Sequence, residues 1–525
     1  MISDSFRPAS RWILLAALIF APWVYGCTSA NEIAVLNGIL GTALLLWLVS
    51  RLLEALERDI ETSRPDYSGN VPRGLVIVAS ALLVLGWAMT LNARSIYDSD
   101  FFLFVSRRNI LPSAPGSVDA AISAAWMLRA TLLIGVTLMI IDLTRDSVWL
   151  LRLWWTIAIA GGSIALLGLI QKATGAAMIF WGPPGPRGPY ETFFATYFYH
   201  ANAGAYLNLV LPLILGQTVW VLMRPSSPAV KGISLTLSLL VIGAVAANTS
   251  RMAQLVGAVL ILLLLLGFIR AALRKRGVIE HKTLILGSLL VAFTLFTIAR
   301  ASHLDQPLKR WSELSSQLPA DARWLAWRAA QRALGDAGWL GFGPGTFRVI
   351  FPYYTSGLGP NIEGIWRFLH EDYLQTILEW GWLGSVLWAL FFFSGIAVAV
   401  RNLLKPGKAV EWRPRYRVLL PVTILALLGI ALHALVDFPL QIASLQLYVA
   451  VYLGICWGST RWEGKDAAVN RRKRKGDTEK KEIRRVKKRR RRLEQPSSRS
   501  GTPKAVPSER LSTKELKMGE PRRGD

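Results

Sequence analysis

The chain has 525 residues, 52% of them hydrophobic, with a net charge of +26 and only two cysteines. Apolar stretches of about 20 residues recur along it, the length that crosses a bilayer as a helix, which excludes an ordinary soluble globular domain. Cys27 and Cys456 fall in or near such stretches and offer neither a disulfide framework nor metal-ligand spacing.

In chain order, hydropathy predicts an all-α integral membrane protein with about twelve spans. They lie near residues 11–29, 33–52, 74–92, 119–141, 148–170, 202–223, 231–247, 251–269, 283–300, 376–400, 418–436 and 442–460. The first is followed at once by the second with no small-residue cleavage site between them, which argues against a removed signal peptide. Placing the N-terminus inside makes the connections 53–73, 142–147, 224–230, 270–282 and 401–417 cytoplasmic, including the basic "RAALRKRGVIEHK" and "RNLLKPGKAVEWRPRYR". The connections 93–118, 171–201 and 301–375 then lie outside with nearly balanced charge, as the positive-inside rule requires. Both termini are expected in the cytoplasm. Residues 1–460 form the membrane domain. Residues 461–525, with 24 Lys and Arg against 10 Asp and Glu, read as a basic cytoplasmic tail too polar and charged to fold. Its run "KKEIRRVKKRRRRLEQ" could bind anionic lipid, but a topological role is favoured and no nucleic-acid partner is expected.

The first outer connection contains "YDSDF", where Asp98 and Asp100 are a weak candidate for a divalent metal. The segment "WGPPGPRGPYETFFATYFYH" could line a glycan groove with aromatic rings. Arg251, in "NTSRMAQLVG", sits at a tight outer turn between spans seven and eight. Snorkelling to the interface competes there with an anion site, for which the planar guanidinium fork is suited. The long outer segment 301–375 is rich in Trp, Arg and Gly, and is expected to be folded. Within it Arg323, Trp327 and Ala330 share a helical face and predict an interfacial amphipathic helix. "GFGPGTF", Gly341–Phe347, follows; without a preceding strand it reads as a tight turn with no ligand rather than a nucleotide loop.

"FLHEDYLQTILEWGWLG" closes the segment and leads into span ten. His370 is one of five histidines; His281 falls on a cytoplasmic connection, and His200, His303 and His433 read as outer-facing or near-outer. A lone histidine is usually structural. His370 differs because it lies at the outer boundary among acids and near arginines, where an imidazole can act as a general base near neutral pH. If the helix is regular from residue 370, Glu379 points away from His370 and shares a face with Gln375, Asp372 and Glu371. It would then brace another helix or an arginine rather than complete a dyad. His433 and Asp437, at i and i+4, could pair at the outer end of span eleven. Two arginines holding a phosphorylated leaving group beside a neutral imidazole would suit a transferase acting on a lipid-linked substrate, with no metal.

These residues carry a resemblance. "FYHANAGAYLNLVLPL", "TSRMAQLVGAVL", "ARWLAWRAAQRALG" with "GFGPGTF", "HEDYLQTILEWGWLG" and "ALHALVDFPLQIAS", spread in order over residues 196–455, resemble the O-antigen ligase and O-antigen polymerase superfamily of bacterial envelope glycosyltransferases. Met252 departs from the small residue common after that family's arginine. The resemblance implies a GT-C-like fold of about twelve transmembrane helices in the inner membrane, with a large extracytoplasmic loop before the tenth and a periplasmic site. It implies inverting, metal-independent and cofactor-free transfer of a glycan from undecaprenyl diphosphate. The acceptor hydroxyl would belong to a glycan, to lipid A-core or to a protein. Arg251 and Arg323 would bind the diphosphate, His370 would activate the acceptor, and Glu379 and Asp437 match family acids without a derived role. A transporter or flippase of lipid-linked glycan is the alternative, since about twelve spans with Gly and Pro interruptions also suit a transport path. A purely structural membrane scaffold would leave outer arginines at helix ends without purpose.

Overall fold

The computed structural model describes residues 3–60, 71–98, 100–101, 103–183, 193–274, 305–317, 321–359, 362, 366–405 and 412–462. These form fifteen α-helices and one antiparallel hairpin. The helices are α1 (Ser3–Trp23), α2 (Ala30–Ile60), α3 (Arg73–Leu91), α4 (Ala120–Leu143), α5 (Ser147–Ala173), α6 (His200–Leu222), α7 (Pro228–Ala247) and α8 (Arg251–Arg274). They continue with α9 (Asp305–Ser312), α10 (Leu314–Gln317), α11 (Arg323–Ala337), α12 (Phe347–Tyr354), α13 (Asp372–Leu404), α14 (Pro414–His433) and α15 (Ala443–Gly458). The hairpin pairs β1 (Ser95–Asp98) with β2 (Leu103–Ser106).

Among the described residues nine helices are long and apolar enough to cross a membrane: α2 to α8, α13 and α14. This is an all-α membrane protein. Of the twelve expected spans, 283–300 lies outside the described residues. At the two ends of the domain, α1 and α15 fall short of the criterion, α15 with 16 residues. The expected tail 461–525 lies outside the described residues beyond Trp462.

The core is centred on α6. Of its most apolar window 83% is buried, against 22% for α8, whose Leu255, Leu262 and Leu266 are exposed as a lipid-facing helix requires. α6 packs against α5, α7, α8 and α14. Polar groups inside this core are satisfied across helices, as burial demands. The Tyr206 hydroxyl meets Tyr448 at 3.1 Å, Tyr448 donates to Leu18 O at 2.9 Å, and Tyr452 donates to Leu209 O at 3.1 Å.

α14 sets the two ends of the bundle apart. At its start Arg413 and Arg415 donate to Ser147 at the start of α5, at 2.9 and 2.8 Å. The same end gathers Arg7 on Asp142 at 2.8 Å and on Glu54 at 2.9 Å. Beyond its far end lies Asp437, among the residues described below.

The break in α13 ties the segment after α8 to the membrane helices. Gly381 adopts φ 63°, ψ −173°, which interrupts the helix and releases the carbonyls one turn back. Residues of the glycine turn take those bonds: Phe342 N–H donates to Leu378 O at 2.9 Å and Gly343 N–H to Glu379 O at 2.8 Å. The Glu379 carboxylate accepts from Gly345 N–H at 3.0 Å, Phe347 N–H at 3.3 Å and the Gln375 amide at 3.0 Å. "GFGPGTF" is thus a turn docked on a helix break, and its glycines at 341, 343 and 345 have φ of 73°, 115° and 74°. α11 then lays its buried alanines 326, 329, 330 and 333 with Phe347, Phe351, Leu369 and Leu378 in a second hydrophobic cluster. A side chain at Gly381 would need a left-handed backbone and would overlap the Trp339 carbonyl. Gly381→Ala is therefore expected to destabilise the protein by ~2 kcal/mol or more. A lowered melting midpoint of detergent-purified protein checks this; an unchanged midpoint would contradict it.

Candidate functional site

His370 is positioned by both neighbours in sequence. Glu371 caps α13, accepting from Tyr373 N–H at 3.1 Å and Leu374 N–H at 2.6 Å. The Gln375 side chain accepts from Leu369 N–H at 3.0 Å, and Asp372 N–H donates to Ala434 O at 3.0 Å. The residue between is forced through a sharp turn: His370 has φ 61°, a conformation that side chains disfavour and that concentrates at functional positions. His370 therefore precedes the helix instead of lying on it, a difference from the regular-helix expectation. Its ring is held edge-on by Tyr199, Trp366 and Phe438, with centroids 5.8, 5.8 and 4.6 Å away.

His370 Nδ1 lies 3.2 Å from Asp437 Oδ1. A carboxylate only accepts, so Nδ1 is the protonated nitrogen and Nε2 keeps its lone pair. Asp437, with a side chain 5% exposed, accepts also from its own neighbour Phe438 N–H at 3.0 Å and from the Tyr199 hydroxyl at 3.2 Å. Arg323 stands 3.8 Å from Asp437 Oδ2. It donates to the Tyr199 oxygen at 2.8 Å and to Val436 O at 3.2 Å. Burial alone would raise the Asp437 carboxyl, but hydrogen bonding and charge from His370, with Arg323 adding, hold it below the ordinary carboxylate value. Burial, with the Asp437 charge, pushes Tyr199 the other way, above the usual phenol. Tyr199 stays a neutral hydroxyl between a carboxylate and a guanidinium.

Arg251 lies further out. The turn before α8 is pinned by Asn248, whose amide donates to His200 O at 2.9 Å and whose oxygen accepts from Ser250 N–H at 2.8 Å. Arg251 Nε then donates to Arg310 O at 2.8 Å, and Nη2 to the same oxygen and to Gln317 Oε1 at 2.7 Å. Arg310 on α9 approaches the His200 ring at 3.4 Å, and that ring lies 4.9 Å from Tyr199. Arg251, Arg310 and Arg323 thus follow one another along an arc through His200 and Tyr199. A cleft of about 430 Å³ opens beside it, lined by Tyr199, Asn202, Trp366, Phe368, His370 and Phe438. Asn202 is 4% exposed and its Oδ1 has no partner among the described residues. Such an orphan acceptor is costly unless a ligand or water meets it.

The structure brings His370, Asp437 and Arg323 together and places Arg251 on the arc. Glu379 is elsewhere, holding the glycine turn as described above. The expected His433–Asp437 pair does not form. His433 is fully buried and neither ring nitrogen has a partner among the described residues, because the turn after α14 aims Asp437 at His370 and Tyr199. Asp98 caps the hairpin, accepting from Asp100 N–H at 2.9 Å and Phe101 N–H at 3.2 Å, so its carboxylate serves the turn. His281 and His303 lie outside the described residues. Sequence reasoning missed Arg310, Tyr199 and Asn202. "FATYFYH" carried a signal only as an aromatic run, and Arg310 sits in a short polar helix whose partners are distant in sequence.

Residues 236–389 match a family model described as O-antigen ligase. That stretch contains Arg251, Arg310, Arg323, His370 and Glu379, and stops short of Asp437. No curated protein matches the chain.

Proposed function

We infer, from the O-antigen ligase and polymerase superfamily to which this chain belongs, that it moves a glycan from undecaprenyl diphosphate to an acceptor hydroxyl during envelope polysaccharide assembly. The observation that carries this reading is the junction of the His370–Asp437 pair with Arg323 beside an aromatic cleft. Asp437 fixes the imidazole so that Nε2 can take the acceptor proton, as a buried carboxylate does in other base–orienter pairs. The acceptor oxygen then bonds to the anomeric carbon as the carbon–oxygen bond to the diphosphate breaks, and displacement from the opposite face inverts the centre. Negative charge grows on the leaving diphosphate, and the arc of Arg323, Arg310 and Arg251 supplies the compensating charge. With that charge furnished by guanidinium groups, the proposed reaction is metal-independent.

The reading places the chain in a bacterial inner membrane with both termini cytoplasmic. The arginine-rich end of the bundle, with Arg7, Arg413 and Arg415, supports a cytoplasmic position for that end. His370 at the other end would then face the periplasm.

Arg323→Lys keeps the charge but loses the fork that reaches Tyr199 and Val436 together, so transfer is expected to fall about 10- to 100-fold. The test is a gel of envelope glycans from cells lacking the protein and complemented with each variant. Wild type restoring long glycan on its acceptor, with Arg323→Lys restoring little, supports the reading. Equal restoration by both removes Arg323 from it. The same gel names the acceptor: single repeat units on the acceptor in the deletion strain mean a polymerase, and long glycan left on the lipid carrier means a ligase.

A further inference from the structure

A second cavity, of about 270 Å³, lies at the end of α5, away from the His370 cleft. At about 30 Å³ per water it is far larger than one solvent molecule needs. Its floor is Gln171, a side chain on a residue 2% exposed, whose Oε1 and Nε2 both lack a partner among the described residues. Phe193 and Phe194 form one wall. Gly168 permits this, since a Cβ there would overlap the Phe194 ring. The rim carries Lys172, whose ammonium donates to Gln306 Oε1 at 3.0 Å.

We propose that this cavity is a saccharide subsite that grips the acetamido group of one sugar in the lipid-linked glycan, with Gln171 as its recognition residue. This rests on the glycan-transfer reading above. A primary amide presents one donor direction and one acceptor direction side by side, and the group that satisfies both at once is another amide. A hydroxyl aligned with one leaves the other poorly met, and a carboxylate or phosphate would leave the Oε1 acceptor facing negative charge. An aromatic wall suits the acetyl methyl and the C–H face of a sugar ring. The location fits a donor sugar. Gln306 on the rim and Arg310 of the arginine arc are four residues apart on α9, about 6 Å along the helix axis. A sugar held here would therefore sit next to the groups assigned to the diphosphate.

The test is saturation-transfer NMR on the detergent-purified full chain, with N-acetylglucosamine and N-acetylgalactosamine as probes and glucose and galactose as controls. The acetyl methyl of either probe is expected to saturate at least about fivefold more strongly than any proton of the controls. Gln171→Met, which keeps the volume and removes both polar atoms, is expected to cut that signal about fivefold. Ala176→Phe, which fills the mouth without touching Gln171, is expected to do the same and serves if the first variant does not fold. With lipid-linked donor, Gln171→Met should raise KM and leave kcat near wild type. Equal saturation of probes and controls, or full signal in the folded variants, overturns the subsite and means that water alone fills the cavity. Transfer that proceeds in wild type without acetamido binding would overturn this proposal and leave the transferase reading standing.

Discussion

His370→Ala is expected to reduce glycan transfer by about 10²- to 10⁴-fold, the usual contribution of a general base, without removing the protein from the membrane. Three features make the effect chemical and not structural. The ring lines the cleft and buries little of the core, its backbone is fixed by Glu371 and Gln375 on either side, and no helix depends on its side chain. Alanine at φ 61° inherits the same backbone cost that histidine already bears, so relative stability should change little. Membrane level and melting midpoint should match wild type while turnover collapses. Turnover within threefold of wild type would make His370 structural.

Asp437→Asn carries the second large effect, a loss of about 10²-fold or more. Asparagine has nearly the same shape but can turn its N–H₂ toward Nδ1. That would stabilise the tautomer with the proton on Nε2, where a lone pair is needed. The substitution also withdraws negative charge from Arg323 and Tyr199. A merely structural role predicts a lower melting midpoint with unchanged kcat. An orienting role predicts a fall in kcat, an altered pH profile, and partial rescue by Asp437→Glu. The sign of the stability effect follows from the depressed carboxyl. The contribution of this pair is complete above the unfolded carboxylate value of about 3.9. It is lost as pH falls through the lower folded value. Acid titration of wild type against Asp437→Asn should therefore converge at low pH, and a constant difference down to that range would contradict the linkage.

Much of the membrane architecture was legible because a lipid environment imposes one pattern on every spanning helix. Runs such as Ala120–Leu143 and His200–Leu222 announce themselves by length alone. Local chemistry was legible too: the glycine turn read as a turn, and Glu379 read as pointing away from His370 with Gln375 on its face, which their 3.0 Å contact bears out. What escaped was whatever depends on groups far apart in sequence. His370 and Asp437 are 67 residues apart and Arg323 and Tyr199 are 124 apart, and periodicity says nothing about such pairs. The His433–Asp437 pairing failed for a related reason. An i, i+4 spacing predicts contact only while the helix continues, and α14 ends at His433. The break at Gly381 was also invisible, since glycine inside an apolar run usually leaves a membrane helix intact and here interrupts it only because Phe342 and Gly343 supply the missing hydrogen bonds.

The most direct measurement reconstitutes the purified full chain in vesicles with a radiolabelled undecaprenyl-diphosphate-linked glycan and a membrane extract containing acceptors, and follows the lipid carrier. The account predicts that free undecaprenyl diphosphate accumulates in step with glycan appearing on the acceptor, for wild type and not for His370→Ala. Movement of the intact lipid-linked glycan across the bilayer, with no carrier released, would contradict it and make the chain a transporter.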